Sequence, residues 1–238
     1  MLEPPIDRVR YLALHLGLPL LLAAALLTLG ELTDFDLPIE AHFFEPSSGS
    51  FPYRDSWFLE TVVHDFGRLL VVLLASGCVV AFGVSFRSAW LAPWRWNLLV
   101  CALTIAAGPL VVAEIKHVAP FHCPNSLALF GGDQPYLSLL DPIPPGMHYG
   151  HCWPGGHSSG GFALMACYFA FRRRAPRLAL WLLVGGFVYG NVLGLGRVIQ
   201  GSHFLSHQLW AALICWLVGL GLYELTLRRY EDQQLTRD

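Results

Sequence analysis

Leu69–Phe86 reads LLVVLLASGCVVAFGVSF, a stretch without one charged residue. As a helix rising ~1.5 Å per residue it would be about 27 Å long, close to the ~30 Å hydrocarbon core of a bilayer. Five similar stretches accompany it. Tyr11–Leu29 is broken only by His15, and Leu98–Ala113 is uncharged and ends at Glu114 and Lys116. Ser158–Phe171 is short, Leu178–Leu195 is uncharged, and Phe204–Tyr223 is apolar apart from Ser206, His207 and Gln208 in its first turn. The expected fold class is therefore all-α: a polytopic membrane protein with six transmembrane helices and a non-cytoplasmic loop or lid region, one domain over residues 1–238. Composition agrees. Of the 238 residues 55% are hydrophobic and only 13% charged, about half the charge of a soluble domain. That excludes a cytosolic enzyme and a disordered chain. A net charge of -2 without a dense basic tract excludes nucleic acid as a partner.

The first span is expected to be a retained anchor, because Gly30-Glu31-Leu32-Thr33 after it is no small-residue cleavage site. Basic residues set orientation. Arg8, Arg10, Arg87, Arg95, Arg172, Arg173, Arg174, Arg177, Arg228, Arg229 and Arg237 fall on one side, and only Arg54, Arg68, Lys116 and Arg197 on the other. Both termini are thus expected in the cytoplasm, with the chain in a bacterial inner membrane. The opposite, periplasmic side is chemically richer. His42, His64, His117, His122, His148, His151, His157, His203 and His207 lie on it or at its edge, nine of the ten histidines. Ionisable groups at a membrane edge are costly to desolvate and point to function.

Two connections lie on that side. Glu31–Asp65 is acidic and broken by the turn-rich Pro46–Ser50. Within Trp57–Leu69 apolar residues recur at helical spacing, which suits equally a helix lying in the interface and the start of the second span. His117–Trp153 is long, rich in Pro and Gly, and carries aromatics that suit an ordered lid. It holds Cys123 and Cys152. In an oxidising compartment these suit a disulfide; two free thiols, or a metal pair with His122 and His151, are the other readings.

Three stretches carry the chemistry, all at the periplasmic ends of spans. Lys116 is followed after six residues by Cys123-Pro124. Pro154-Gly155-Gly156-His157-Ser158-Ser159-Gly160 opens the fourth span, and Gly196-Arg197 precedes, by five residues, His203-Phe204-Leu205-Ser206-His207. A helix N-terminus offers free N–H groups and a positive dipole end to an anion. Gly155 and Gly156 let an anion come close, and Ser158 and Ser159 add hydroxyl donors. Lys116 and Arg197 are fixed cations suited to phosphate. His157 is placed to protonate a leaving oxygen, and His203 to attack. His207 shares the face of His203 if the helix has begun. The pattern describes a phosphate site with one histidine that attacks and one that donates a proton.

The three stretches resemble the motifs of the type 2 phosphatidic acid phosphatase superfamily, K-x6-R-P, P-S-G-H and S-R-x5-H-x3-D, over the motif region 116–207. Four positions depart: Cys123 stands for the arginine, Gly155 and Gly196 for the serines, and His207 for the aspartate. The resemblance implies a metal-independent, cofactor-free phosphatase in which His203 becomes a phosphohistidine, His157 protonates the leaving group, Lys116 and Arg197 hold phosphate oxygens and Gly156 adds its N–H. Arg54, Arg68, His117 and His122 are the candidates to replace the arginine. A neutral His207 takes the aspartate's orienting role, which predicts activity falling as it protonates near about pH 6.5; Asp65, Asp133, Asp141 and Glu114 are the candidate acids to replace it. The expected substrate is a membrane lipid phosphate: undecaprenyl diphosphate, phosphatidylglycerol phosphate, phosphatidic acid or lipid A, the last also a possible phosphoryl acceptor. Competing readings are a zinc site on His203 and His207 with His151 or Asp141, which lacks a His-Glu-x-x-His, a haem held between spans by histidine pairs, and a catalytically inactive protein that only binds lipid phosphate.

Overall fold

The computed structural model describes residues 7–235, so Arg237 lies outside the described residues. The chain is all-helical: among the described residues β-pairing is confined to two isolated bridges, Glu45 with Ser50 and Leu127 with Gln134. We number the helices α1 (Arg8–Thr33), α2 (Asp36–Ala41), α3 (Phe58–Val84), α4 (Ala92–His117), α5 (Gly156–Ala166), α6 (Tyr168–Phe171), α7 (Pro176–Ile199) and α8 (Leu205–Gln234). Five of them, α1, α3, α4, α7 and α8, are long and apolar enough to cross a membrane.

Two boundaries differ from the sequence reading. The second stretch begins at Phe58 and not Leu69, so Trp57–Leu69 is the start of a spanning helix and not a separate interfacial one. Hydropathy hid this start because Glu60, His64 and Arg68 turn their polar side chains toward other helices. Residues Phe58–Phe66 are wound as a π-helix, a form frequent at functional sites. The fourth stretch is too short to count as a spanning helix by its length alone. It is the 11-residue α5, a break at Cys167 and the four-residue α6.

That short segment sits at the centre of the bundle. Phe162, Ala163, Ala166 and Cys167 are fully buried. Glycines let its backbone touch α7: a Cβ on Gly161 would stand 2.4 Å from the Gly190 nitrogen, and one on Gly186 2.2 Å from the Met165 nitrogen. Gly186, Gly190 and Gly194 recur every fourth residue, the small-residue stripe that allows close van der Waals packing where lipid supplies no hydrophobic drive.

The connections converge at one end. Phe51, Leu127, Phe130 and Phe204 form a buried cluster that joins three of them. Cys123 and Cys152 form a disulfide with Cα atoms 5.2 Å apart. Closing a loop of 29 residues stabilises by about 3–4 kcal/mol in the chain-entropy model. The carboxylate of Asp36, on α2, accepts the Ser206 N–H at 3.0 Å and so caps α8. Glu40, one turn on, is fully buried and neither carboxyl oxygen has a partner among the described residues. Burial and then the nearby Asp36 push its pKa up to about 9.

Candidate active site

His203 lies in the turn between α7 and α8. Gly201 makes that turn with φ +67°, its carbonyl held by the Asn125 N–H at 2.8 Å and the Ser202 N–H held by the Arg197 carbonyl at 2.9 Å. A Cβ on Gly201 would meet the Phe51 ring at 2.4 Å, so the position demands glycine. His203 is 3% exposed. Its Nδ1 stands 3.5 Å from His207 Nδ1 and 3.5 Å from Cys152 Sγ. One edge of the ring is thereby occupied, and Nε2 sits on the other. Burial, then the charges of His207, Lys116, His157 and Arg197, push His203 well below the ordinary histidine range. The ring is therefore neutral at physiological pH, as attack requires.

The other groups converge on that ring. The His157 centroid, in the first turn of α5, is 6.4 Å from His203's. Its Nδ1 is buried without a hydrogen bond among the described residues. Lys116 closes α4, and its ammonium stands 3.7 Å from where a Cβ on Gly156 would be, so glycine leaves the approach open. Arg197 closes α7 and donates to Glu60 Oε1 at 2.9 Å and Gln200 Oε1 at 3.0 Å. The Gly156, His157 and Ser158 N–H groups open α5 and lack acceptors within their own helix.

Two of the expected phosphate ligands are placed differently. The Gly155 N–H donates to the His207 carbonyl at 2.8 Å, so it fixes α5 to α8 and is not free for an anion. Ser158 is fully buried, its hydroxyl on the Gly155 carbonyl and the Gln208 amide oxygen; Ser159 lines the adjoining cavity instead. Gln208 also accounts for glycine at 155, since a Cβ there would lie 2.3 Å from its Oε1. Gly196 faces α3, where a Cβ would press on Val63 at 3.2 Å.

Cys123 is in the disulfide, which packs against His203. The two sulfurs and the His203 ring lie within 4.8 Å of one another, but sulfurs joined to each other offer a metal no thiolate. Of the candidates to replace the missing arginine, Arg68 shares a cavity wall with Lys116 and His157. His122 Nε2 is 2.9 Å from the His148 carbonyl, and His117 stacks on His151 at 5.8 Å. Arg54 contributes its carbonyl to Gln200. Three of the four candidate acids have other partners, Asp65 with His64 at 2.7 Å, Asp133 with Gln134 and Asp141 with the Ser138 N–H, and Glu114 is exposed on α4.

Four site residues escaped the sequence reading of roles: Glu60, His64, Gln200 and Gln208. His64 packs its ring on His157 with centroids 4.0 Å apart. Glu60, His64 and Arg68 recur every fourth residue on α3, and that spacing was the available signal.

A family model described as the PAP2 superfamily matches residues 97–231, more than half of the chain. No curated protein is similar in sequence at a significant level. Among solved structures the fold is similar to that of a transmembrane PAP2-type phosphatidylglycerolphosphate phosphatase from Bacillus subtilis. The TM-score is 0.54 at 16% identity, over 88% of this chain and 94% of that one.

Proposed function

This chain belongs to the PAP2 superfamily, and from that premise we propose that it is a metal-independent phosphatase of a membrane lipid phosphate or diphosphate. One observation carries the reading: buried His203, with Nδ1 turned to His207, stands among Lys116, His157, Arg197 and the opening turn of α5. In the proposed reaction His203 Nε2 attacks phosphorus and the bond from phosphorus to the lipid oxygen breaks. His157 gives that oxygen its proton. Lys116, Arg197 and the free N–H groups of α5 hold the equatorial oxygens, where charge grows in the transition state. Water then attacks the phosphohistidine, His157 takes its proton, and inorganic phosphate leaves. His207 accepts the Nδ1–H of His203 and fixes the tautomer, without the negative charge an aspartate would bring.

The chain acts as one domain in a bacterial inner membrane. Residues 156–171 count as the fourth of six spans, the termini are cytoplasmic and the site is periplasmic, where the disulfide forms. Undecaprenyl diphosphate, phosphatidylglycerol phosphate, phosphatidic acid and lipid A are the lipids to assay, the last also as phosphoryl acceptor. With purified protein in micelles and chelator present, wild type is expected to release phosphate and carry a base-stable phosphoryl label. His203→Ala is expected to lose both, with the rate down at least about 10³-fold. Phosphate release that survives in His203→Ala overturns the covalent mechanism.

A further inference from the structure

A cavity of about 530 Å³ opens beside His157. His64, Arg68, Lys116 and His157 line its polar end; below them the wall is apolar, with Val71 and Ala75 from α3 and Ile105 and Pro109 from α4. Neither His203 nor Arg197 lines it. The cavity thus runs from the phosphate ligands Lys116 and Gly156 past the proton donor and away from the nucleophile, so the part of a substrate that extends into it is the leaving group. Lys116 to Ile105 is a distance of about 16 Å along a helix rising ~1.5 Å per residue, close to the ~15 Å depth of one leaflet. A slot of that depth and lining fits a hydrocarbon chain.

Arg68 stands at the mouth of this slot, near enough to His157 to act on it electrostatically. The acids on the same stretch of α3 are taken by other groups, Glu60 by Arg197 and Asp65 by His64. Lys116, Arg197 and the end of α5 already serve the phosphoryl group that is transferred. A guanidinium with no carboxylate partner among the described residues, beside the leaving group, suits a second anion there. All of α3 also lies outside the matched residues 97–231.

We propose that Arg68 binds a second phosphoryl group on the leaving side, between the scissile phosphate and the apolar chain, so that the preferred substrate is a lipid with two phosphoryl groups in series. Such a lipid is either a diphosphate or a phosphodiester that ends in a phosphate. A lipid with one phosphate, such as phosphatidic acid, offers Arg68 only neutral ester oxygens. The inference rests on the phosphatase reading above.

The test is phosphate release in micelles from undecaprenyl diphosphate, phosphatidylglycerol phosphate and phosphatidic acid by wild type, Arg68→Ala and Arg68→Lys. The kcat/KM of wild type is expected to favour one or both of the first two lipids, and which one it favours names the source. Arg68→Ala should lower that preference at least tenfold, and Arg68→Lys should restore part of it. Equal losses on all three lipids would make Arg68 a ligand of the scissile phosphate, and an unchanged preference would make it a cation snorkelling at the membrane edge; either overturns the proposal. In parallel, His203→Ala is titrated with a methylene-bridged prenyl diphosphonate and a prenyl monophosphonate, with and without Arg68→Ala. Tighter binding of the diphosphonate that depends on Arg68 upholds the site even if wild type hydrolyses no lipid, and binding without that dependence overturns it.

Discussion

The two imidazoles that face each other across the site live in unlike surroundings. His203 is sealed: the disulfide, His207 and the Gly201 turn surround it, and Gln208, Gly155 and the His207 carbonyl lock the helices behind it. His157 faces a cavity, and its neighbours His64 and Arg68 come from α3, a helix that is largely exposed. In the proposed mechanism the attack geometry is thus fixed by packing, while the leaving-group side opens to a cavity. The contrast also separates chain regions. The sealed side is built from residues within the family match, and the open side in large part from a helix before it.

The largest effect that could break this contrast is at His157. Its replacement by alanine is expected to lower kcat on a lipid phosphate about 10²- to 10⁴-fold, the usual worth of a general acid. With an aryl phosphate, whose leaving group needs no proton, the loss should be far smaller. Equal losses on both substrates would deny His157 its role on the leaving side.

Next is the disulfide. Replacing Cys123 and Cys152 by serine should lower Tm by roughly 6–12 °C, from about 3 kcal/mol spread over a chain of this size. Because Cys152 touches His203, kcat should fall with it while KM changes little. A double-serine variant with native rate would show that the wall around His203 is not needed for attack.

The smallest effect sharpens the contrast from outside the site. Glu40 has a folded pKa of about 9 against an ordinary 4.5. The unfolded chain ionises above about 4.5 and the fold keeps its proton, so the stability this group contributes is full below 4.5 and is lost as pH rises toward 9. Glu40→Gln cannot ionise, and is expected to raise Tm by a few degrees at pH 8 and hardly at pH 5. An equal shift at both would mean that Glu40 ionises in the fold.

Much of the architecture was legible because hydropathy reports lipid contact directly. Leu69–Phe86 and Leu178–Leu195 are read correctly since their outer faces meet lipid. The same signal was weaker at Phe58–Arg68, where Glu60 pairs with Arg197 and His64 packs on His157, and at 156–171, where Gly160 and Gly161 are small to pack and not to be hydrophobic. Lys116, His157, Arg197 and His203 were grouped by spacing, and the fold brings them together. Gln208 was not, since its role is to fill the space that Gly155 leaves, and only a folded chain brings the two together. The disulfide was one of three readings of Cys123 and Cys152, and the chain path between them decides among those.

The glycine contacts of α5 with α7 carry a last consequence. A helix enclosed by other helices has no need to match the bilayer around it. Where the long helices tilt or deform nearby lipid to absorb a mismatch, the opening turn of α5, joined to α7 through these glycines, moves with Arg197 on that same helix. The spacing that the proposed reaction needs would thereby depend on a helix-to-helix contact and not on membrane thickness.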